Sequence, residues 1–239
     1  MLELRACLAF IVLSLVCSQG MASKILYTFE GDSGTAVTDK LVADGLQNPN
    51  FAIYQDLYVD TTAANAAFGT SSVHFGARGP SIADRNSLDT GIKSDALGAS
   101  FTLAAQINLS STGADTISSI FSNYYGGGAF TSGSVYLSAN PSAGNVFRVV
   151  IHDGTTSYSD YIRPYQVYTD SYHHIALTYD NGAITVYFDG VAYFTKTAAE
   201  TGLAAGVLPE SAYALSIGAN TFAAGQFVGN MDDVLIYDR

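Results

Sequence analysis

Alternation of apolar and polar positions is clearest between Tyr172 and Phe194. Side chains of a strand point alternately to its two sides. Ile175, Leu177 and Tyr179 therefore share one face of a strand, and Ile184, Val186 and Phe188 share one face of the next. Asp180-Asn181-Gly182 separates these runs, and Asp189-Gly190 separates the second from Val191 to Phe194. Asn-Gly and Asp-Gly between alternating segments signal two-residue hairpin turns, in which both central residues need positive φ. Two successive hairpins make an antiparallel meander, the mark of a β-sandwich chain.

The same period runs through Ser100 to Leu109, which places Phe101, Leu103, Ala105, Ile107 and Leu109 on one face. Shorter strands are expected at Ile25 to Phe29, Phe51 to Val59, Ser72 to Phe75, Leu88 to Ile92 and Ile117 to Ser122. Others are expected at Ser134 to Ser138, Val146 to His152, Tyr158 to Ile162, Tyr213 to Gly218 and Met231 to Tyr237. Lys196 to Leu203 reads as a short helical turn. Many short strands at near-regular spacing indicate a sandwich or barrel. No internal repeat, linker or second domain interrupts them.

The first residues read differently. Arg5 precedes an apolar run from Ala6 to Val16, and the small residues Ser18, Gly20 and Ala22 follow. This is the pattern of a signal peptide spanning residues 1–22, with a single domain from Ser23 to Arg239 and a secreted or extracytoplasmic location. Both cysteines, Cys7 and Cys17, leave with that segment. The remainder then has no disulfide, no catalytic Cys and no Cys-based metal site. The net charge of −11 argues against a nucleic-acid partner. No later apolar run has spanning length, which argues against membrane insertion. Tyr and Phe are abundant, at 16 and 13 residues, while Trp is absent, a mixture that suits strands and weakens the usual sugar platform.

Several segments resemble one family in its own order. Tyr172-His173-His174-Ile175-Ala176-Leu177-Thr178-Tyr179-Asp180 resembles the W-HH-V-A-x-T-Y-D strand of laminin G-like domains in the concanavalin A-like lectin/glucanase superfamily. Tyr187 to Gly190 resembles its Y-V-D-G, and Leu215 to Asn220 its L-x-I-G-A-N. Gly229 to Arg239 resembles its closing G-x-I-D-D-V-R-I-Y-x-R, Tyr27 to Gly31 its Y-x-F-D/E-G, and Leu97 to Ile107 its F-T-V-x-A-W-V strand. Tyr172 and Gln106 stand where the family carries Trp. The resemblance implies an all-β, antiparallel two-sheet jelly-roll β-sandwich. Such domains serve as carbohydrate-binding modules, adhesion domains and accessory units of secreted enzymes, and fold alone does not choose among them.

Candidate chemistry narrows the choice. A retaining or inverting glycosidase needs two carboxylates flanking one bond, in this superfamily as E-x-D-x-x-E. Residues 23–239 hold only Glu30, Glu200 and Glu210, and none has a second Glu within five residues. Asp232-Asp233 is the only paired carboxylate in a strand, and neighbours in a regular strand face opposite ways. Gln106 matches the polysaccharide lyases of the superfamily only in isolation. His74 and His152 stand alone, and of His173 and His174 one is expected exposed and the other packed, so a zinc site is not expected. Glu30, Asp32, Asp39 and Asp232 supply hard oxygen donors, and the resemblance adds a structural Ca²⁺ where terminal strands adjoin. Otherwise these acids cap turns and face water. Tyr124 and Tyr125, and Tyr161, Arg163 and Tyr165, are the candidate ligand-binding residues. Sugar rings stack on aromatic faces while polar groups bond their hydroxyls.

The reading is a secreted, non-catalytic binding domain with carbohydrate as the leading ligand class. A structural or adhesive surface protein with protein partners is the alternative. A divergent glycoside hydrolase or polysaccharide lyase comes third.

Overall fold

Both predicted hairpin turns form, and their backbone angles are the ones their residues favour. Asn181 and Gly182 have φ of 49° and 93°, and Asp189 and Gly190 have 48° and 80°. They join β10 (Tyr172–Asp180), β11 (Ala183–Phe188) and β12 (Val191–Lys196). Asp180 pairs with Ala183 and Phe188 with Val191, so each loop is two residues long. The computed structural model describes residues 23–27, 57–76, 87–110, 117–124, 129–140, 146–163, 171–219 and 225–238. For 23–27, 57–59 and 140 it describes the backbone only. The expected signal peptide, residues 1–22, lies outside them.

The remaining strands are β1 (Ser23–Tyr27), β2 (Leu57–Asp60), β3 (Ser72–Phe75), β4 (Leu88–Asp89) and β5 (Ser100–Leu109). Then come β6 (Ser118–Ser122), β7 (Val135–Asn140), β8 (Val146–His152) and β9 (Ser157–Ile162). The last two are β13 (Ser216–Ile217) and β14 (Gly229–Asp238). One sheet has eight strands in the order β12-β11-β10-β5-β14-β3-β2, with β1 also on β14. The other has six, in the order β4-β13-β6-β7-β8-β9. All described pairings are antiparallel. This is a two-sheet sandwich.

The core lies between the sheets. Phe101, Leu103, Ala105, Ile107 and Leu109 are all buried there, as the period-two pattern predicts, together with Ile175, Leu177, Tyr179, Ile184, Val186 and Phe188. Phe101 and Tyr179 face each other across the β5–β10 pair, with ring centroids 5.2 Å apart. Such a stack adds about 0.5–1.5 kcal/mol beyond area burial. Tyr179 keeps its hydroxyl bonded to the Ala204 carbonyl at 3.2 Å. Phe147 of one sheet meets Phe188 of the other at 5.6 Å.

Several element limits differ from expectation. The first strand is described at Ser23–Tyr27, and residues 28 and 29 of the expected Ile25 to Phe29 lie outside the described residues; of Phe51 to Val59 the described strand includes only its end, within Leu57–Asp60. Leu88 to Ile92 is strand only at Leu88–Asp89, because Gly91 takes a φ of 70° and the Asp89 carboxylate accepts its N–H. Thr90 donates both N–H and hydroxyl to the Leu215 carbonyl, and of Tyr213 to Gly218 the strand is Ser216–Ile217. The helical turn appears as α1 (Ala198–Thr201), closed by a capping box between Thr197 and Glu200.

Alternation also fails at Asp232-Asp233. Asp233 has a φ of 46° and the β5–β14 register slips there, a β-bulge. Met231 and Val234 both enter the core, so both acids lie between two inward residues. The expected opposite facing of the two carboxylates does not hold. The bulge also divides β14: residues before it pair with β3 and residues after it with β1.

Candidate functional site

The outer face of the six-stranded sheet gathers rings around one cation. Its geometry begins with Asn123, which is buried just past β6. The Asn123 side chain donates to the Gly133 carbonyl at 2.8 Å and accepts from the Val135 N–H at 2.7 Å. That clamp fixes the turn before β7. Gly133 turns with a φ of 75°, and a Cβ there would lie 2.3 Å from the Pro209 carbonyl oxygen. Ser122 Oγ accepts from the Tyr124 N–H at 3.1 Å, which sets the chain beyond the strand.

Held in this way, Tyr124 lies 4.1 Å from Phe130 and 6.1 Å from Tyr136, measured between ring centroids. Phe130 and Tyr136 are 5.7 Å apart. Tyr136 is buried, and that burial raises its phenol pKa. The register across β7, β8 and β9 places Ser138 beside Arg148 and Arg148 beside Tyr161. The Arg148 guanidinium carbon lies 5.1 Å from the Phe130 centroid and 5.3 Å from that of Tyr161. Such cation–π contacts contribute about 0.5–1 kcal/mol each at exposed sites. Arg148 Nε donates to Ser159 Oγ at 3.3 Å. Tyr161 is 52% exposed and so presents a large apolar ring to solvent. A ring platform beside fixed donors is what a sugar-binding face requires.

Two of the five expected ligand residues, Tyr124 and Tyr161, come to this face. Arg163 is exposed at the end of β9 and holds no partner among the described residues. Tyr125 and Tyr165 lie outside the described residues. Phe130, Tyr136 and Arg148 were missed by the sequence reading. A signal for Arg148 exists: a charge in the apolar run Val146 to Ile151, with the short loop from Asp153 to Thr156 setting Arg148 opposite Tyr161.

The expected metal and histidine residues have other settings. Glu30, Asp32 and Asp39 lie outside the described residues. Asp232 is buried, and its Oδ2 accepts from the Ala67 and Phe68 N–H groups at 3.0 and 3.1 Å. Its Oδ1 accepts from the Asp233 N–H at 2.8 Å. Burial first, then the charge of Asp233, pushes this carboxyl up to about 7 against the pull of those three donors. Among the described residues no three His, Cys, Asp or Glu side chains come together as a metal site. The Asp232 carboxylate thereby anchors the 67–68 segment to β14.

Neither His173 nor His174 is fully exposed, contrary to expectation. Asp189 Oδ2 meets His173 Nδ1 at 2.7 Å, Ser171 Oγ meets its Nε2 at 3.0 Å, and the ring stacks on Phe188 at 4.8 Å. Asp189 Oδ1 accepts from the His174 N–H at 2.9 Å. These bonds tie the turn after β11 to the start of β10.

A family model described as the concanavalin A-like lectin/glucanases superfamily matches residues 83–239. No curated protein matches the chain significantly. Among solved structures, domain 4 of AbnA, a GH43 extracellular arabinanase from Geobacillus stearothermophilus solved with arabinotriose, is similar at a TM-score of 0.53. Its identity is 15%, over 91% of this chain and 93% of that one. The binding domain of botulinum neurotoxin serotype G is similar at a TM-score of 0.56 and 14% identity. That match covers 91% of this chain and 48% of the other, so this chain spans about half of it. At these identities the likeness speaks for the fold alone.

Proposed function

We propose, for a chain that belongs to the concanavalin A-like lectin/glucanase superfamily, a secreted, non-catalytic role in carbohydrate binding. The carrying observation is the run Tyr124, Phe130, Arg148 and Tyr161 across one outer face, ending in an exposed ring. The sugar stacks on Tyr161, and Arg148 bonds its oxygens. Glycan-array binding with purified protein tests this directly, and an array dark throughout overturns it. The non-catalytic part is supported by the absence of E-x-D-x-x-E and by the amide-bound state of Asp232. Reducing-sugar release from polysaccharides would reverse that part.

Calcium belongs to the same reading as a structural ion, with Glu30, Asp32, Asp39 and Asp232 as its ligands. An ion that binds only the folded state stabilises it by about 2.7 kcal/mol at a hundred times its Kd. EDTA should then lower the Tm, and equal melting curves with EDTA and excess Ca²⁺ remove the ion. Protein binding is the second reading, favoured by Val191 and Tyr193, which are exposed on the edge strand β12.

A further inference from the structure

We infer that the face around Arg148 takes a carboxylate-bearing sugar, with the acid on the guanidinium and the sugar ring against Tyr161. This rests on the carbohydrate reading and adds the charge of the ligand. The chain has 21 acidic residues against 10 basic ones, yet Arg148 has no carboxylate partner among the described residues. The nearest acid along β9 is turned away. Asp160 stands opposite Val149, on the other face of the pleat, where its Oδ2 accepts from the Tyr158 hydroxyl at 3.1 Å. Its Oδ1 accepts from the Tyr161 N–H at 2.7 Å.

Among the described residues the cation is held without being neutralised. Phe130 and Tyr161 lie within 5.1 and 5.3 Å of its central carbon, and Ser159 takes Nε. The two terminal nitrogens have no protein acceptor among the described residues, which leave open the fork that binds carboxylate through two parallel bonds. A guanidinium only donates and a carboxylate only accepts, whereas a hydroxyl does both. The open fork therefore matches an acid better than a neutral sugar. Arg163, the residue just past the end of β9, adds a second exposed cation nearby in the chain.

The test compares matched ligands by calorimetry: oligogalacturonides against their carboxyl-reduced forms, and sialylated oligosaccharides against the same glycans amidated at the carboxylate. The expected result is roughly ten- to hundredfold tighter binding of at least one acid than of its neutral partner, the range of a hydrogen bond to a charged group. Arg148→Gln should weaken both forms and bring each acid to the affinity of its neutral partner, which erases the preference. Arg148→Lys should keep only part of it, because an ammonium lacks the fork. Equal affinity for every acid and its neutral partner overturns the inference and leaves the carbohydrate reading standing. A preference that survives in Arg148→Gln overturns it too, and so does binding of neither form of either pair, while the glycan array decides the carbohydrate reading separately. The ligand comparison on the unmutated protein does not depend on either variant folding.

Discussion

Arg148 stands directly opposite Tyr161 across the β8–β9 pair, and the guanidinium covers one side of that ring. The contact fixes a ring that would otherwise swing freely in solvent. A pre-set ring loses less entropy on binding, so more of its contact energy appears as affinity.

Tyr161→Ala should weaken glycan binding by about 1–3 kcal/mol, as truncation of a central interface aromatic does. Its Tm should stay close to the parent's, because the ring is 52% exposed. Calorimetry and melting on one preparation decide the matter. A large drop in Tm with unchanged affinity per folded molecule would make the ring structural.

Gly133→Ala should damage both stability and binding. The left-handed backbone costs a side chain about 1–2 kcal/mol, and overpacking against Pro209 adds about 1–3 kcal/mol. Relief of that clash moves the turn that Asn123 clamps, and with it Phe130. Urea unfolding and glycan titration should therefore shift together.

The Asp232 carboxyl sets a pH dependence. Its folded value, about 7, lies above the ordinary 3.8, so between these the folded state binds more protons than the unfolded one. This group's contribution to stability is present below about pH 4 and is lost as pH rises toward 7. Over the window the loss is on the order of a few kcal/mol. Asp232→Asn should flatten this slope. It should also lower overall stability by about 1–3 kcal/mol, since with the amide oxygen kept on the Ala67 and Phe68 N–H groups the NH2 meets the Asp233 N–H donor to donor. Denaturant unfolding from pH 4 to 8 measures both, and an unchanged slope in the variant would assign the pH dependence to other groups.

N-terminal sequencing of secreted protein should begin at Ser23. Gly20 and Ala22 hold the small-residue positions before that cut. Cleavage there leaves β1 whole, since Ser23 is its first residue and pairs with Tyr237. A start at Met1 would remove the signal.

Much of the fold was legible because its information is local. Asn181-Gly182 and Asp189-Gly190 dictate their turns from two residues, and the alternation in Ser100 to Leu109 names its own buried face. Short strands were not, because their ends depend on local backbone turns: Gly91, with a φ of 70°, breaks the Leu88 to Ile92 run that alternation would carry through. The site was half legible. Tyr124 and Tyr161 stand out as aromatic residues, but Phe130 and Tyr136 join them through a turn clamped by Asn123, a relation no spacing reveals. The Asp232-Asp233 bulge broke a rule that assumes regular pleating.

The divided pairing of β14 bears on the order in which the chain assembles. β14 follows every other described strand, yet it stands between β5 on one side and β3 and β1 on the other. Until it arrives, β1 lacks its described ladder partner, and β2 with β3 forms only an isolated hairpin. Its pairing with β1 joins segments about 200 residues apart, the kind of distant contact that slows folding of β proteins to the order of milliseconds to seconds. A chain emerging N-terminus first therefore stays open through most of its synthesis.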